Sequence, residues 1–174
     1  GKPDGGIRLI GIPTVRDRVV QQALKNILEP IFDPGFHPSS YGYRPKMGAH
    51  DAIAKATAFM RDHGLNWVID MDLSKCFDTL DHELIIQSVR KKVTDGSILN
   101  LIRKFLEGGV MKLGAFEPTS VGSPQGGVIS PLLANIYLNE FDQFMKSRGH
   151  RMVRYADDIL IFKASRSGAD NARQ

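Results

Sequence analysis

The sequence has a single cysteine and no long apolar run, and both absences narrow what the protein can be. One thiol, Cys76, cannot form an internal disulfide or build a cysteine metal cluster, which suits a reducing compartment. No apolar stretch approaches the ~20 residues of a membrane span, and no signal-peptide pattern opens the chain. The sequence therefore predicts a globular protein with no membrane partner.

Charge is moderate, with a small excess of basic residues. The 174 residues include 23 Lys and Arg against 19 Asp and Glu, so the formal net charge is +4 at pH 7. A basic balance favours an anionic partner, although many globular domains are mildly basic. With 42% hydrophobic residues, the chain has enough apolar material for a core.

Hydrophobic periodicity predicts both helices and strands. Apolar residues recur at three- and four-residue spacing in five helical segments: 15–32, about 49–62, 81–91, about 96–107 and 130–148. Alternating runs predict strands over 7–12 and 67–73, and hairpins over 110–121 and 151–163. This order predicts an α+β fold, in which an antiparallel sheet is backed by helices on one face.

Two predicted strand segments carry carboxylates. Strand 67–73 alternates, so Asp70 and Asp72 share the face opposite the apolar one. In the second segment, Asp157 and Asp158 lie at the tip of a predicted tight hairpin between apolar runs. Two like charges about 4 Å apart repel by roughly 4 kcal/mol at an effective dielectric near 20. The pair is tolerable if it stays wet or if a divalent cation lies between the oxygens.

The spacing favours a metal-dependent nucleotidyl-transfer site built from Asp72, Asp157 and Asp158. Such transfer uses two Mg²⁺ ions about 3.5–4 Å apart, one at the attacking hydroxyl and one at the leaving pyrophosphate. The alternative is structural: a solvated sheet face at Asp70 and Asp72, and turn chemistry at the two adjacent aspartates. The metal hypothesis requires these groups, distant in sequence, to converge.

Two further features fit a nucleotide site. Phe77 is a candidate wall beneath the sugar of an incoming nucleotide, where its ring would exclude a 2′-hydroxyl; the alternative is a core aromatic. The loop at 123–127 has glycines that permit close backbone approach to a ligand, and Gln125 within it can bond a sugar or a template strand. A tight turn before a helix is the alternative there.

Basic residues near the start of the chain are candidate phosphate contacts. Lys2 and Arg8 flank a glycine-rich turn and are candidates to clamp a triphosphate. Four others are candidate contacts to the phosphates of a template strand: Arg16, Arg18, Arg44 and Lys46. All six also fit solvated surface cations.

Five blocks of sequence carry a family resemblance: RLIGIPTVRDRVVQQAL (8–24), SYGYRP (40–45), DMDLSKCFDTLDH (70–82), GSPQGGVISPLLANIYLNEFD (122–142) and YADDILIF (155–162). With these blocks the chain closely resembles the reverse transcriptases encoded by bacterial group II introns, the intron maturases. The block around SPQGGVISPLLANIYL is highly specific, whereas many polymerases share YADD.

The resemblance implies a right-hand polymerase, with partial fingers over 1–66 and the catalytic palm over 67–174. It makes Asp72, Asp157 and Asp158 the catalytic aspartates and metal ligands. The remaining implied contacts to nucleotide are Lys2, Arg8, Phe77, Gln125, and the backbone around Leu73 and Ser74, with Leu73 also at the metal.

The same resemblance implies cofactors and partners. These are two Mg²⁺ ions, for which Mn²⁺ can substitute; an RNA template, a DNA primer and deoxynucleoside triphosphates; and group II intron RNA, whose splicing such proteins assist. It implies a ribonucleoprotein in the bacterial cytoplasm.

The family pattern has an N-terminal extension, a thumb and a maturase region, none of which occurs in these 174 residues. From this we expect a fragment with a mobile C-terminal tail, inactive alone and prone to pair with itself as a homodimer. Three alternatives stay open: another bacterial retroelement lineage such as a retron or a diversity-generating element, a splicing cofactor without polymerase activity, and a glycosyltransferase with a metal-binding DxD at 70–72.

Overall fold

The structure is a computed structural model, and it describes residues 12–73, 79–108, 110–112, 115–117 and 127–172. The described chain divides into two compact units. The first unit comprises Gly1–Phe32 and Lys75–Ile136, and the second comprises Asp33–Ser74 and Tyr137–Gln174. Each unit is therefore assembled from two separate stretches of sequence.

Six helices and five strands occur within the described residues. In chain order they are α1 (Val15–Phe32), α2 (Ala49–His63), β1 (Trp67–Asp72), α3 (His82–Arg90), α4 (Gly96–Glu107), β2 (Val110–Lys112), β3 (Ala115–Glu117), α5 (Ser130–Ser147), β4 (Arg151–Tyr155), β5 (Asp158–Lys163) and α6 (Arg166–Asn171). The helix and strand positions predicted from periodicity are confirmed to within one or two residues in the described parts. The exceptions are α6, which apolar periodicity did not predict, and the hairpin over 110–121, whose described strands end at Glu117. The predicted strand at 7–12 lies almost entirely outside the described residues.

The first unit is mainly helical. Helices α3 and α4 begin at aspartates that cap them: the Asp81 carboxylate accepts from the backbone N–H of Leu84, and the Asp95 carboxylate accepts from those of Ser97 and Ile98. An ion pair between Arg103 and Glu83 joins the two helices on their exposed side. The predicted helix start at Asp81 is thus confirmed.

The second unit contains a three-stranded antiparallel sheet in the order β1-β5-β4. Strands β4 and β5 form a hairpin in which Tyr155 lies opposite Asp158. Strand β1 pairs with the other edge of β5, and the register places Asp72 opposite Asp158. The central strand of this sheet is therefore the one that begins with an aspartate.

Both faces of the sheet carry helices. One face packs against α5 and α6 through a buried apolar cluster, formed by Ile69, Met152, Ile159 and Ile161 of the sheet with Met145 of α5 and Ala169 of α6. On the other face, Val153 and Phe162 pack under α2 through Phe59. Helices on one face alone were expected. Helix α2 joins from the other side because that face is apolar at one end and acidic only at the other.

The predicted α+β class with an antiparallel sheet is confirmed. Within the described residues, no helix is both long enough and apolar enough to cross a membrane.

Candidate functional site

Carboxylates gather at one end of the second unit's sheet, which we call the acidic end: Asp70, Asp72, Asp157 and Asp158. The register puts Asp72 directly across from Asp158, and opposed residues of antiparallel strands point to the same face. Asp70 follows two residues away on that face, opposite Leu160. Residues far apart in sequence thus meet through strand pairing.

The carboxylates influence one another electrostatically. Burial, followed by the negative charges of Asp157, Asp72 and Asp70, raises the pKa of Asp158 above its ordinary value of 3.8. Because like charges oppose ionisation, this carboxyl favours either a proton or a nearby cation. The acidic end is thus a place where positive charge is stabilised.

A two-residue turn, Ala156-Asp157, joins β4 to β5. Ala156 has a φ of 59°, the left-handed region in which a side chain is disfavoured. In a two-residue hairpin loop, the first position with positive φ normally belongs to glycine. The strained alanine directly precedes Asp157, so the surrounding structure must hold this turn in place.

A buried ion pair lies against the turn. Arg154 of β4 and Asp142 of α5 both have fully buried side chains, and the Arg154 Nη2 donates to Asp142 Oδ2 at 2.7 Å. The Nε of Arg154 also donates to Asp142 Oδ1 at 2.9 Å. The Nη1 donates to the carbonyl oxygen of Ala156 at 2.9 Å. One guanidinium therefore ties the turn to the helix behind the sheet.

The segment 39–42 supports the turn from the edge of β4. The N–H of Arg154 donates to the carbonyl of Ser39, and the N–H of Tyr41 donates to the carbonyl of Arg154, both at 2.9 Å. Gly42 then lies so close that a Cβ on it would be 2.3 Å from the backbone nitrogen of Ala156. Only glycine permits this approach, so Gly42 acts as a backbone support for the turn.

Arg44, a predicted phosphate contact, serves this segment internally. Its guanidinium donates to the Asp33 carboxylate at 2.7 Å and to the carbonyls of His37 and Ser40 at 3.0 and 2.8 Å. A further bond reaches the carbonyl of Asp33 at 3.1 Å. With its side chain only 5% exposed, Arg44 has a structural role, and we do not retain it as a nucleic-acid contact.

The other predicted site residues fall into two groups. Within the described residues, Arg16, Arg18 and Lys46 are exposed, while Leu73 is half-buried beside the apolar face of the sheet. Five lie outside the described residues: Lys2, Arg8, Ser74, Phe77 and Gln125. Their predicted contacts to nucleotide stay predictions.

The acidic end has the donors that a hard divalent cation prefers. Among the described residues, no three His, Cys, Asp or Glu side chains stand ready to hold a metal ion together. Mg²⁺ is commonly held by one or two carboxylates, with waters and substrate phosphates completing its coordination. Asp72 and Asp158, paired across the strands, with Asp157 beside them, fit that requirement.

Sequence reasoning missed the support of the turn. Arg154 is a charged residue that follows the apolar Met152 and Val153 within β4, and that was the available signal for a buried partner. Nothing in the sequence named Asp142 as the partner, because both residues lie on segments that also look amphipathic. Gly42 was similarly indistinguishable from a loop glycine.

Comparisons with known proteins agree on one family. A family model described as "Reverse transcriptase (RNA-dependent DNA polymerase)" matches residues 1–174. The chain is 45% identical over 150 residues to "Protein YkfC" of Escherichia coli (strain K12), covering 84% of this chain and 39% of that protein. It is 40% identical over 139 residues to "Group II intron-encoded protein LtrA" of Lactococcus lactis subsp. cremoris, covering 80% and 23%.

Solved structures agree with the fold. A chain of the "Partial Cas6-RT-Cas1--Cas2 complex" superposes with a TM-score of 0.56 at 28% identity, over 95% of this chain and 29% of that one. The 174 residues thus span well under half the length of these relatives.

Proposed function

This chain belongs to the reverse transcriptase (RNA-dependent DNA polymerase) family, and from that premise we propose that it carries the nucleotidyl-transfer site of an RNA-directed DNA polymerase. The resemblance to group II intron proteins that the motifs indicated is confirmed. The proposed reaction is in-line attack of a primer 3′-hydroxyl on the α-phosphate of a deoxynucleoside triphosphate, with pyrophosphate leaving.

The observation that carries this proposal is the register that sets Asp72 opposite Asp158. It supplies two carboxylates on one face, with Asp157 in the adjoining turn. Burial, and after it the negative charges of Asp157, Asp72 and Asp70, raises the pKa of Asp158. Repelling carboxylates are costly to a protein that does not use them. A site for divalent cations gives the cluster a purpose.

We assign Asp72, Asp157 and Asp158 as the groups that would hold Mg²⁺, with Mn²⁺ as a substitute. When bound, two such ions neutralise charge at the attacking and leaving oxygens. The chain's own contribution is placement. Arg154 donates a hydrogen bond to the carbonyl of Ala156, and the backbone of Gly42 packs closely against the same residue. The turn that carries the Asp157 carboxylate therefore has little conformational freedom.

The proposed partners follow from the family. They are an RNA template, a DNA primer and deoxynucleoside triphosphates, together with the group II intron RNA that a relative such as LtrA implies by its name. We retain the predicted division into fingers over 1–66 and palm over 67–174. Phe77 as the sugar-selecting wall and Gln125 as a nucleotide contact are part of the same proposal.

The test compares two aspartates of one strand. In the natural polypeptide, Asp72→Asn is expected to lower primer extension on an RNA template by about 10³-fold or more, because a metal ligand contributes several kcal/mol at the transition state. The matched control is Asp70→Asn, which removes the same charge from the same face two residues away. Its extension rate is expected to stay within a few-fold of the parent.

Binding of Mn²⁺ gives a second readout that needs no substrate. Paramagnetic broadening of signals from the acidic end should weaken in Asp157→Asn and persist in Asp70→Asn. Equal loss of extension in Asp72→Asn and Asp70→Asn would mean that net charge matters and the proposed ligands do not.

A further inference from the structure

A second feature of the second unit lies at the opposite end of β4 from the acidic end. It is a cavity of about 370 Å³. We call it the basic cavity, and its polar lining consists of His37, Ser39, Lys55, Lys146, His150 and Arg151. None of the residues that line it is acidic.

The cations of the basic cavity are available for a ligand. In the described part of the chain, Lys146 and Arg151 form no ion pair, and the Lys55 Nζ lies 5.0 Å from the centre of the Phe59 ring. Burial lowers the pKa of both histidines, and neighbouring cations add to that: Lys146 at His37, then Lys163 and Arg148 at His150. The nearby Asp142 opposes the shift at His37, but its charge is committed to Arg154. The lining thus carries three cationic side chains and no acidic one.

Hydrogen bonding fixes which ring nitrogen carries the proton. The Nδ1 of His37 accepts from the backbone N–H of Ser39 at 3.1 Å. The Nδ1 of His150 is in contact with the Nζ of Lys163, which donates to it. A neutral imidazole that accepts at Nδ1 must carry its proton at Nε2, so both rings are donors at that nitrogen. The cavity therefore presents three cations, two imidazole donors and one hydroxyl.

A ligand for such a lining must be rich in acceptors and negatively charged. We propose that the basic cavity binds a phosphate group in the sugar–phosphate backbone of a nucleic-acid strand, at a point separate from the acidic end. Lysine and arginine side chains supply charge-assisted hydrogen bonds to phosphate oxygens. The two imidazoles complete the set as neutral donors. The choice of a nucleic-acid strand rests on the proposed function.

The separation follows from the sheet. Arg151 and Tyr155 are the first and last residues of β4, so the two ends are about 13 Å apart at 3.3 Å per residue. That distance is about two nucleotides of an extended strand. A phosphate in the basic cavity is therefore too far away to be the one that reacts at the acidic end.

An exposed aromatic on α5, outside the lining of the cavity, favours a strand over a free phosphate. Phe144 is 52% exposed on α5, and the guanidinium of Arg148 lies 5.1 Å from the centre of its ring. After burial and the charge of Lys163, the charge of Arg148 also lowers the pKa of His150, so Arg148 lies near the cavity. A guanidinium near the cavity, with a flat ring against it, suits a base adjoining the bound phosphate.

The first experiment uses inorganic phosphate and the natural polypeptide. The chain has five histidines, so ring signals of His37 and His150 can be compared with those of His50, His63 and His82. We expect saturable shifts at the first two and none at the other three. In Lys146→Gln/Arg151→Gln, affinity for phosphate should fall at least tenfold. Shifts of equal size at all five rings would overturn the proposal.

The second experiment separates a strand from a free nucleotide. Binding of a 20-nucleotide RNA to the parent and to Lys146→Gln/Arg151→Gln is measured against salt concentration. The plot of log K against log salt should lose about 0.7 of its slope for each phosphate contact removed. The control, Arg90→Gln/Lys104→Gln, makes the same charge change at exposed residues of α3 and α4 and should keep the parent slope.

Adenosine monophosphate is the competing probe. A strand site predicts that the monophosphate binds at least 100-fold more weakly than the RNA, and that the two substitutions weaken the RNA more. If the monophosphate matches the RNA in affinity, or if the control variant loses as much slope, the strand assignment fails.

The two proposals fail separately. Asp72→Asn should keep its affinity for the RNA and its phosphate shifts at His37 and His150, whatever its extension rate. A protein that extends primers normally while Lys146→Gln/Arg151→Gln binds RNA as the parent does would retain the proposed function and refute the basic cavity alone.

Discussion

The two ends of the three-stranded sheet carry opposite charges and are built in opposite ways. At the acidic end, Asp157 lies in a turn that buried groups hold, with Arg154 and Asp142 fully buried behind it. At the other end, the cations of the basic cavity are exposed or half-exposed, and the described residues pair neither Lys146 nor Arg151 with an acid. Buried residues fix the position of the turn at the acidic end, whereas surface side chains supply the charge at the basic end.

This difference separates two demands on a site. A group that must meet a reacting atom requires a fixed position, which a buried support supplies. A group that holds a flexible strand needs only charge within reach, because phosphate contacts tolerate small displacements. We therefore expect substitutions in the buried support of the acidic end to act through the fold, and those at the basic end to act through affinity.

The largest effect is expected from breaking the buried pair. Asp142→Ala leaves the guanidinium of Arg154 buried without its carboxylate, which should lower the free energy of unfolding by about 3–5 kcal/mol. Denaturation by urea measures it. The basic-end variant Lys146→Gln/Arg151→Gln should change the same quantity by less than about 0.5 kcal/mol.

Replacing both members distinguishes support from stability. Asp142→Leu/Arg154→Met should recover most of the lost stability, because an apolar pair of similar volume is often neutral. It removes the bond to the carbonyl of Ala156, so the affinity for Mn²⁺ should stay low despite the recovered fold. Full recovery of both would show that the pair is merely structural.

A smaller effect is expected at Gly42. In Gly42→Ala the new Cβ would lie 2.3 Å from the backbone nitrogen of Ala156, and backbone cannot yield as a flexible side chain does. We expect a loss of about 1–3 kcal/mol in unfolding free energy and a weaker affinity for Mn²⁺. Gly96→Ala is the control, since nothing lies within 4 Å of its Cβ position. The two variants should differ in thermal unfolding; equal midpoints would contradict the close approach.

Sequence patterns anticipated the two ends unequally. Alternation along strand 67–73 placed Asp70 and Asp72 on one face, and the apolar runs around Asp157 and Asp158 indicated a hairpin; both are confirmed. These predictions succeeded because period and turn length are local properties. The sequence also predicted that the two acidic segments converge, whereas the register that sets Asp72 opposite Asp158 comes from the structure.

Sequence patterns did not predict the buried supports of the turn or the basic cavity, because both depend on non-local packing. Arg44 resembles any loop cation in the sequence, yet its donors serve Asp33 and nearby carbonyls. His37 and His150 are far apart in sequence and show no ligand spacing; they share a cavity because the segment that follows His37 is bonded along β4, which follows His150. Helix α6 has no apolar period and is stabilised by burying Ala169 against the sheet.

The smallest expected effect is the pH dependence, which should have opposite signs at the two ends. At the acidic end, the folded pKa of Asp158 is raised, so the folded state binds its proton more tightly. Stability from this group rises as pH falls through its folded pKa, and levels off below 3.8. At the basic end, the folded pKa values of His37 and His150 are lowered. The stability that these histidines contribute is therefore lost as pH falls below 6.5, and it stops changing below their folded pKa values.

The substitution Asp158→Asn isolates the pH dependence of stability that arises at the acidic end. It removes a like charge directly opposite Asp72, so unfolding free energy at pH 7 should rise by a few tenths to about 1 kcal/mol. As pH falls through the folded pKa of Asp158, the gain over the parent should shrink, because the parent carboxyl takes up its proton there. The loss of stability below pH 6.5 that the two histidines cause should be unchanged in this variant, since it arises about 13 Å away at the other end of the strand. A gain that grows with acidity would reverse the sign and refute the repulsion between the aspartates.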